Sequence, residues 1–172
     1  MEFEGKRFLV TGGTRGIGAA IVKHFVDAGA HVITSARTEA SDKIESVLYV
    51  QADVSTADGC DVLVSAVKEK WHNIDGIVHV VGGSSAPSGG FSVLDDEEWH
   101  KAINQNLMPA VRLDRALLPL MLAHGKGSII HISSIQRVLP LYESTIAYAA
   151  AKAALSNIAR HWLKRLVRRG CV

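Results

Sequence analysis

A glycine-rich segment, TGGTRGIG at residues 11–18, lies between an apolar run and a helical pattern and constrains the fold more than any other feature. Glycine permits a tight strand-to-helix turn and lets a phosphate group approach backbone N–H groups, while the positive end of the helix dipole favours the anion. Any tight turn can use glycine, so the inference depends on the placement of the segment after a strand and before an amphipathic helix. The segment predicts a phosphate-binding turn.

Short apolar runs alternate with helical patterns, and five of the runs are predicted strands. Several strands are apolar at consecutive positions, as in a sheet that is buried on both faces. The alternation predicts an α/β fold of the Rossmann type, a doubly wound parallel sheet with helices on both faces. The five strands are RFLVTGG, HVITSA, SVLYVQADV, IDGIVHVV and GSIIHISS.

The loop GGSSAPSGG at residues 82–90 follows the fourth predicted strand. Open parallel sheets bind ligands at the carboxyl ends of their strands, so the position of this loop favours a site over a simple connector. A length of 172 residues suits a single domain.

Composition argues against several classes of protein. The chain is 48% hydrophobic and 21% charged, which is ordinary for a folded globular protein. Residues 1–156 carry 14 basic and 17 acidic side chains, so nothing outside the final segment favours a nucleic-acid partner. No stretch approaches the roughly 20 apolar residues of a membrane span, and the acids at the amino terminus do not fit a signal peptide. We expect a cytoplasmic protein with no nucleic-acid or membrane partner.

Cysteine and histidine spacing predicts neither a disulfide framework nor a metal site. The two cysteines, Cys60 and Cys171, fit a reducing compartment. The eight histidines show no local ligand spacing such as H-x-x-x-H. We expect scattered core and surface histidines and no bound metal.

The spacing Gly-x-x-x-Gly-x-Gly differs from the G-x-G-x-x-G of most dinucleotide folds and resembles the fingerprint of the short-chain dehydrogenase/reductase family. The resemblance covers essentially residues 5–156. It implies a nicotinamide cofactor whose pyrophosphate lies on the first helix turn. The residues expected to bind the cofactor in this turn are Gly12, Thr14, Arg15, Gly16, Ile17 and Gly18.

Two arginines favour NADP(H) over NAD(H). An acidic residue at the end of the second strand would accept hydrogen bonds from a ribose 2′-hydroxyl, but this chain has Ala36 there, followed by Arg37. Arg15 supplies a second guanidinium group, and two such groups suit a 2′-phosphate. Either arginine alone is compatible with an ordinary solvated side chain.

Asp53 and Val54, which follow the third strand, match the pair that contacts adenine in the family. Asp53 is equally compatible with capping the next helix, although Ser55 and Thr56 are nearer candidates for that cap.

The end of the fourth strand departs from the family. Where the family usually has Asn-Asn-Ala-Gly, this chain has His79, Val80, Val81 and Gly82. Gly82 keeps the close backbone approach and is expected to bind the cofactor, whereas the asparagine side-chain contacts are absent.

The segment YAAAK places Tyr148 and Lys152 one helical turn apart on the same face. Hydride transfer to a carbonyl needs a proton for the developing alkoxide, and an ammonium group beside a phenol favours the phenolate. An isolated Y-x-x-x-K is usually an exposed surface pair. The resemblance implies that Tyr148 is the acid/base and that both residues also contact the cofactor, with Lys152 hydrogen-bonded to the nicotinamide ribose.

Ser134 and Asn106 complete the four residues expected to be catalytic. The resemblance implies that Ser134 binds the substrate carbonyl, with Ser133 as the alternative. It also implies that Asn106 ends a helix within the pattern from about Asp95 to Ala123 and holds a water in a proton relay to Lys152, with Asn104 as the alternative.

These residues predict an NADP(H)-dependent oxidoreductase acting on a small carbonyl/alcohol substrate. The alternative is a catalytically inactive remnant that at most binds the nucleotide. Because the long 95–123 helix and the Tyr148 helix pair between subunits in the family, we expect a homodimer or homotetramer.

The final segment, NIARHWLKRLVRRGCV, carries five Lys or Arg and no acid. It is compatible with an amphipathic extension of the Tyr148 helix, or with a basic helix that contacts a membrane surface or a partner. We favour a third interpretation, a frameshift product, because codons permitted for this segment can spell YSKALAKEVSPKGVRV, a continuation typical of the family, when they are read one base out of register. We therefore expect a dinucleotide-binding and catalytic domain at 1–156, lacking the family's last strands, and an aberrant basic helical tail at 157–172.

Overall fold

A computed structural model describes residues 1–141, 143 and 145–167, and its strands form one parallel sheet. The strands are β1 Arg7–Thr11, β2 His31–Ala36, β3 Val47–Gln51, β4 Gly76–His79 and β5 Ser128–His131. The α-helices are α1 Gly16–Asp27, α2 Ala57–Lys70, α3 Asp96–Asn106, α4 Met108–His124 and α5 Ile146–Val167. Two short 3₁₀ turns span Phe91–Val93 and Ile135–Arg137. The five predicted strands are confirmed.

The strand order is β3-β2-β1-β4-β5, and each neighbouring pair is parallel. The order reverses between β1 and β4, because β2 and β3 extend the sheet on one side of β1 and β4 and β5 extend it on the other. A crevice forms at such a reversal, outside the carboxyl ends of the strands. The doubly wound Rossmann topology predicted from the sequence is therefore confirmed.

Apolar side chains alternate between the two faces of the sheet, so both faces are covered. Leu9 packs on one face in a cluster with Leu63 of α2 and Leu117 of α4, all fully buried. Val10 points to the other face, where it shares a cluster with Phe25 of α1. This alternation follows from the two-residue period of a strand and explains why the central strands are apolar at consecutive positions.

Thr56 supplies the amino-terminal cap of α2. Its hydroxyl oxygen accepts a hydrogen bond from the Gly59 N–H at 3.0 Å. The Asp53 carboxylate instead accepts from the Ser55 N–H at 3.0 Å and from the Ser55 hydroxyl at 2.7 Å. Of the three cap candidates that the sequence left open, Thr56 is the one the structure uses.

The helical pattern from about 95 to 123 is two helices rather than one. The break is at Leu107, whose φ of −121° and ψ of −53° lie off the helical values. Pro109 follows in the first turn of α4, where its missing N–H costs no hydrogen bond. Leu107 thus separates α3, which lies near the loop at 82–90, from α4, which packs against one face of the sheet.

Ile17, in the first turn of α1, is 63% exposed, because it faces the crevice beside the glycine turn. At the other end of the chain, α5 continues without interruption into the predicted tail as far as Val167. Residues 168–172 of that tail lie outside the described residues. No helix within the described ranges has the length and apolar character that crossing a membrane requires.

Replacement of Leu63 by alanine is expected to lower the free energy of unfolding by about 2–5 kcal/mol, since a fully buried leucine leaves a cavity between α2 and the sheet. Its neighbour Val62 is 51% exposed on the same helix, so Val62→Ala is the matched control and should change the free energy by less than about 0.5 kcal/mol. Urea denaturation measures both. Equal losses for the two variants would contradict this assignment of the core.

Candidate functional site

A cleft of about 990 Å³ opens at the carboxyl ends of β1, β2, β3 and β4. Its wall is formed by the glycine turn after β1, by the segments that follow β2 and β3, and by residues 80–82 after β4. It therefore lies at the reversal of strand order, where a doubly wound sheet binds its ligand.

Ten of the twelve residues predicted to bind a cofactor line this cleft, whereas Tyr148 and Lys152 are not among its lining residues. The structure thus brings together positions from four separate segments of the chain, while their roles toward a cofactor stay predictions. The ten lining residues are Gly12, Thr14, Arg15, Gly16, Ile17, Gly18, Arg37, Asp53, Val54 and Gly82.

The glycine turn is too closely packed for side chains at three positions, Gly12, Gly13 and Gly18. A Cβ on Gly18 would lie 2.1 Å from the Gly12 carbonyl oxygen, which is backbone and cannot move aside. Gly12 itself has a φ of +72°, and a Cβ there would meet the Val81 side chain at 2.9 Å. Glycine at these positions keeps the backbone N–H groups of the turn accessible to a ligand.

Two buried threonines hold the backbone around the turn. Thr34 is fully buried, accepts a hydrogen bond from the Gly13 N–H at 2.9 Å and donates to the Val10 carbonyl at 2.6 Å. The Thr11 hydroxyl oxygen accepts from the N–H groups of residues 80 and 81 at 3.0 and 3.3 Å. The sequence analysis missed both residues, although a threonine near the end of an otherwise apolar strand was an available signal.

Two arginines contribute to the wall of the cleft. Arg15 in the glycine turn and Arg37 after β2 both line it, and both are exposed. Ala36, the last residue of β2, also lines the cleft and presents no carboxylate. Residues from α3 that the sequence analysis did not select for this cleft, Lys101 and Gln105, line it as well.

Lys152 is the buried cation of the site. Only 3% of the residue is exposed, and its ammonium group donates a hydrogen bond to the Ile132 carbonyl at 2.8 Å. Burial lowers the pKa of this ammonium group, because the charged form loses hydration. The Lys152 nitrogen lies 5.8 Å from the centre of the Tyr148 ring, close enough for the cation to act on the phenol.

Gly82, Asn106 and Lys152 meet at one end of the cleft. A Cβ on Gly82 would lie 2.8 Å from Asn106 Oδ1 and 2.9 Å from Lys152 Nζ. The buried Asn106 amide donates to the carbonyls of Gly83 and Ala102 at 2.9 Å each, and its Oδ1 accepts from the Gly83 N–H at 2.8 Å. Asn106 therefore ties the end of α3 to the backbone after β4.

The alternative asparagine and serine have other contacts. Asn104 Oδ1 accepts from the Arg112 guanidinium group at 3.3 Å, and Asn104 lines the cleft. The Ser133 hydroxyl contacts the Ser156 hydroxyl on α5 at 3.2 Å. Ser134 Oγ accepts from the backbone N–H of residue 136 at 3.2 Å, which leaves its O–H proton free to donate. The roles of Asn106 and Ser134, and of the alternatives Asn104 and Ser133, stay predictions.

A second polar cluster lies beneath the ends of β4 and β5. His79 Nε2 lies 2.7 Å from Asp114 Oδ1, and His131 Nε2 lies 3.4 Å from Asp114 Oδ2. Burial alone raises the pKa of the Asp114 carboxyl group, but the two imidazoles outweigh burial and hold that pKa below its usual value. The sequence analysis missed this cluster, since its members are distant in sequence and no local spacing joins them.

The strand order and the glycine turn at its reversal define the class of the molecule, a Rossmann-type α/β protein. The family model described as "short chain dehydrogenase" matches residues 6–172. The chain belongs to that family of oxidoreductases, as the glycine spacing and the YAAAK segment had indicated.

Similar proteins include YvrD of Bacillus subtilis, an uncharacterized oxidoreductase that is 36% identical over 168 residues. The match covers 93% of this chain and 62% of YvrD, so the chain spans less than two thirds of that relative's length.

Two solved reductases have similar structures. L-sorbose reductase from Gluconobacter frateurii, complexed with NADPH and L-sorbose, is 30% identical, with a TM-score of 0.86 over 99% of this chain and 68% of its own. The NADH-dependent reductase A1-R′, complexed with NAD, is 26% identical, with a TM-score of 0.89 over 98% of this chain and 74% of its own. These neighbours include both kinds of nicotinamide cofactor.

Asn106→Ala is expected to lower the free energy of unfolding by about 2–4 kcal/mol, because three hydrogen bonds are lost and the Gly83 backbone groups are left without partners. Asn104→Ala, the matched control two residues away, should cost less than about 1 kcal/mol, because it loses one long contact. Denaturation in the absence of nucleotide measures both values. A larger loss for Asn104→Ala would show that the wrong asparagine joins α3 to the sheet.

Proposed function

We propose that the protein is an NADP(H)-dependent oxidoreductase that transfers a hydride between the nicotinamide and a carbonyl/alcohol substrate. One observation carries the proposal. Gly82 lines the cleft that begins at the glycine turn, and it lies directly against Lys152 and Asn106. A cofactor held at the glycine turn would therefore extend toward the residues with acid/base chemistry.

The shape and chemistry of the cleft fit a dinucleotide. Its volume of about 990 Å³ is at the upper end of the range for small-molecule sites, roughly 300–1,000 Å³. Glycine at positions 12 and 18 allows the turn to pack closely on itself, and a pyrophosphate would bind the backbone N–H groups at the start of α1. Asp53 and Val54 would hold the adenine, at the end of β3.

The arginines support NADP(H) as the preferred cofactor. Arg15 and Arg37 line the same cleft, in the glycine turn and just after β2. Ala36 places no charge at the position where a ribose-binding acid would lie. Two guanidinium groups would neutralise a 2′-phosphate and donate hydrogen bonds to its oxygens. The NADPH complex of the sorbose reductase is consistent with this preference, whereas the NAD complex of A1-R′ shows that the family alone does not determine it.

Tyr148 and Ser134 would handle the proton that the substrate oxygen gains or loses during the reaction. When bound, the nicotinamide supplies the hydride to the carbonyl carbon or accepts it from the alcohol carbon. In the reducing direction the Tyr148 hydroxyl gives its proton to the developing alkoxide oxygen, and the Ser134 O–H donates a hydrogen bond to the same oxygen. The products are then an alcohol and a Tyr148 phenolate that takes a proton back from solvent.

Lys152 would make the Tyr148 phenolate easier to form. Its ammonium nitrogen is fixed by the Ile132 carbonyl and lies 5.8 Å from the phenol ring. A positive charge at this distance in a poorly hydrated site favours the anionic phenol. Asn106, held between α3 and the backbone at 82–83, would position this end of the cleft and take part in the proton relay to Lys152.

Arg37→Glu is expected to weaken NADPH binding by about 10- to 100-fold, because a charge-assisted pair worth roughly 1.5–3 kcal/mol is lost. NADH binding should change less than about threefold, since NADH has no 2′-phosphate. Titration calorimetry of both nucleotides measures the four dissociation constants.

Arg115→Glu is the matched control, because Arg115 is an exposed arginine on α4 outside the cleft lining. It should leave both nucleotide affinities unchanged. Equal affinity of the wild-type chain for NADPH and NADH would rule out the proposed cofactor preference.

Tyr148→Phe is expected to lower the rate of NADPH-dependent ketone reduction by about 100-fold or more, because positioned proton transfer contributes roughly 100- to 10,000-fold. Nucleotide affinity should stay within a few-fold of the wild-type value. Nucleotide oxidation is followed by absorbance with a panel of small ketones. If wild type and variant bind the nucleotide equally and neither reduces any ketone, the chain is the inactive remnant.

A further inference from the structure

Three ionisable side chains from different elements converge beneath the candidate site. His79 ends β4 and His131 ends β5, and the parallel register pairs these two residues directly. Their imidazole rings stack at 4.9 Å between centres with a 10° angle between planes. Asp114 reaches both rings from α4 and is fully buried.

Hydrogen bonding satisfies this cluster only in part. The 2.7 Å contact between His79 Nε2 and Asp114 Oδ1 is a hydrogen bond. Asp114 Oδ2 and His131 Nε2, 3.4 Å apart, are both buried and lack a hydrogen-bond partner, as does His79 Nδ1. Buried polar atoms rarely lack partners in folded proteins, so this group calls for an explanation.

The buried carboxylate of Asp114 also needs a positively charged partner. Within the described residues, the two histidines are its ion-pair partners, and no lysine or arginine reaches it. A buried carboxylate is normally paired with a cation or coordinates a metal.

The unpaired atoms have the spacing of metal ligands. Histidine nitrogens and carboxylate oxygens bind Zn²⁺ at roughly 2.0–2.2 Å, which places neighbouring ligands of a tetrahedron about 3.3–3.5 Å apart. The 3.4 Å separation of Asp114 Oδ2 and His131 Nε2 equals such an edge. One ligand atom from each residue lies within 4.8 Å of the others. Because the two imidazoles stack with nearly parallel planes, one ring must rotate out of the stack for both to direct a nitrogen at one ion.

We propose that His79, Asp114 and His131 bind a single divalent transition-metal ion of the zinc type. Two imidazoles and one carboxylate form a known three-ligand zinc set, with the fourth position taken by water.

The ion would act on the fold, at the base of the site. It would cross-link α4 to the carboxyl ends of β4 and β5. Ile132, the next residue after His131, supplies the carbonyl that fixes Lys152. This proposal is independent of the proposed oxidoreductase activity and needs neither substrate nor nucleotide to be tested.

The test uses Co²⁺ as the probe, since tetrahedral cobalt gives strong visible absorption. The untagged chain is stripped with a chelator and titrated with Co²⁺, and Zn²⁺ is then added to displace the cobalt. One equivalent of bound Co²⁺ is expected, and Asp114→Asn or His131→Asn should weaken its binding at least about tenfold. His100→Asn, which removes an exposed histidine on α3, is the control and should bind as wild type does. No binding by wild type, or equal binding by all variants, would overturn the proposal.

X-ray absorption of the zinc-loaded wild-type chain supplies a readout that needs no variant and serves if neither substitution folds. A spectrum that shows two imidazole ligands together with oxygen ligands would support the site. A sulfur ligand, or an oxygen-only shell without imidazole, would place the ion elsewhere and overturn the assignment.

Discussion

The parallel pairing of β1 with β4 is the constraint on which the site depends. It places the turn after β1 beside the segment after β4, where a Cβ on Gly12 would meet the Val81 side chain at 2.9 Å. Thr11 strengthens this junction because its hydroxyl oxygen accepts hydrogen bonds from two N–H groups of the β4 extension. Since that extension ends at Gly82, the pairing also sets where the phosphate turn lies relative to Lys152.

Lys152 is a buried cation that is held in place by one hydrogen bond. A buried ammonium group is costly unless it is hydrogen-bonded, and here the Ile132 carbonyl accepts from it. That bond anchors α5 to the end of β5 and so fixes the direction in which Tyr148, one turn earlier on the helix, faces. The same burial lowers the pKa of the Lys152 ammonium group, because the charged form loses hydration.

Local signals predicted the strands, the sheet class and the glycine turn, because strand–helix alternation and glycine spacing are short-range features. The meeting of Asn106 with Lys152 was expected only through the family resemblance, since no spacing rule joins residues so far apart. The break at Leu107 and the exposure of Ile17 depend on tertiary context that periodicity does not contain. The pairing of His79 with His131 depends on strand register, which one sequence does not reveal.

The departure from Asn-Asn-Ala-Gly after β4 has a physical account in these contacts. An asparagine there would have polar groups for the neighbouring backbone, but in this chain Thr11 accepts from the N–H groups of residues 80 and 81, and Asn106 holds both backbone groups of Gly83. The polar side chain at position 79 is therefore not needed at the cleft. It forms a hydrogen bond with Asp114 on the helix-covered face of the sheet instead. The replacement therefore changes the contacts below the site, while Thr11 and Asn106 hold the backbone that lines the cleft.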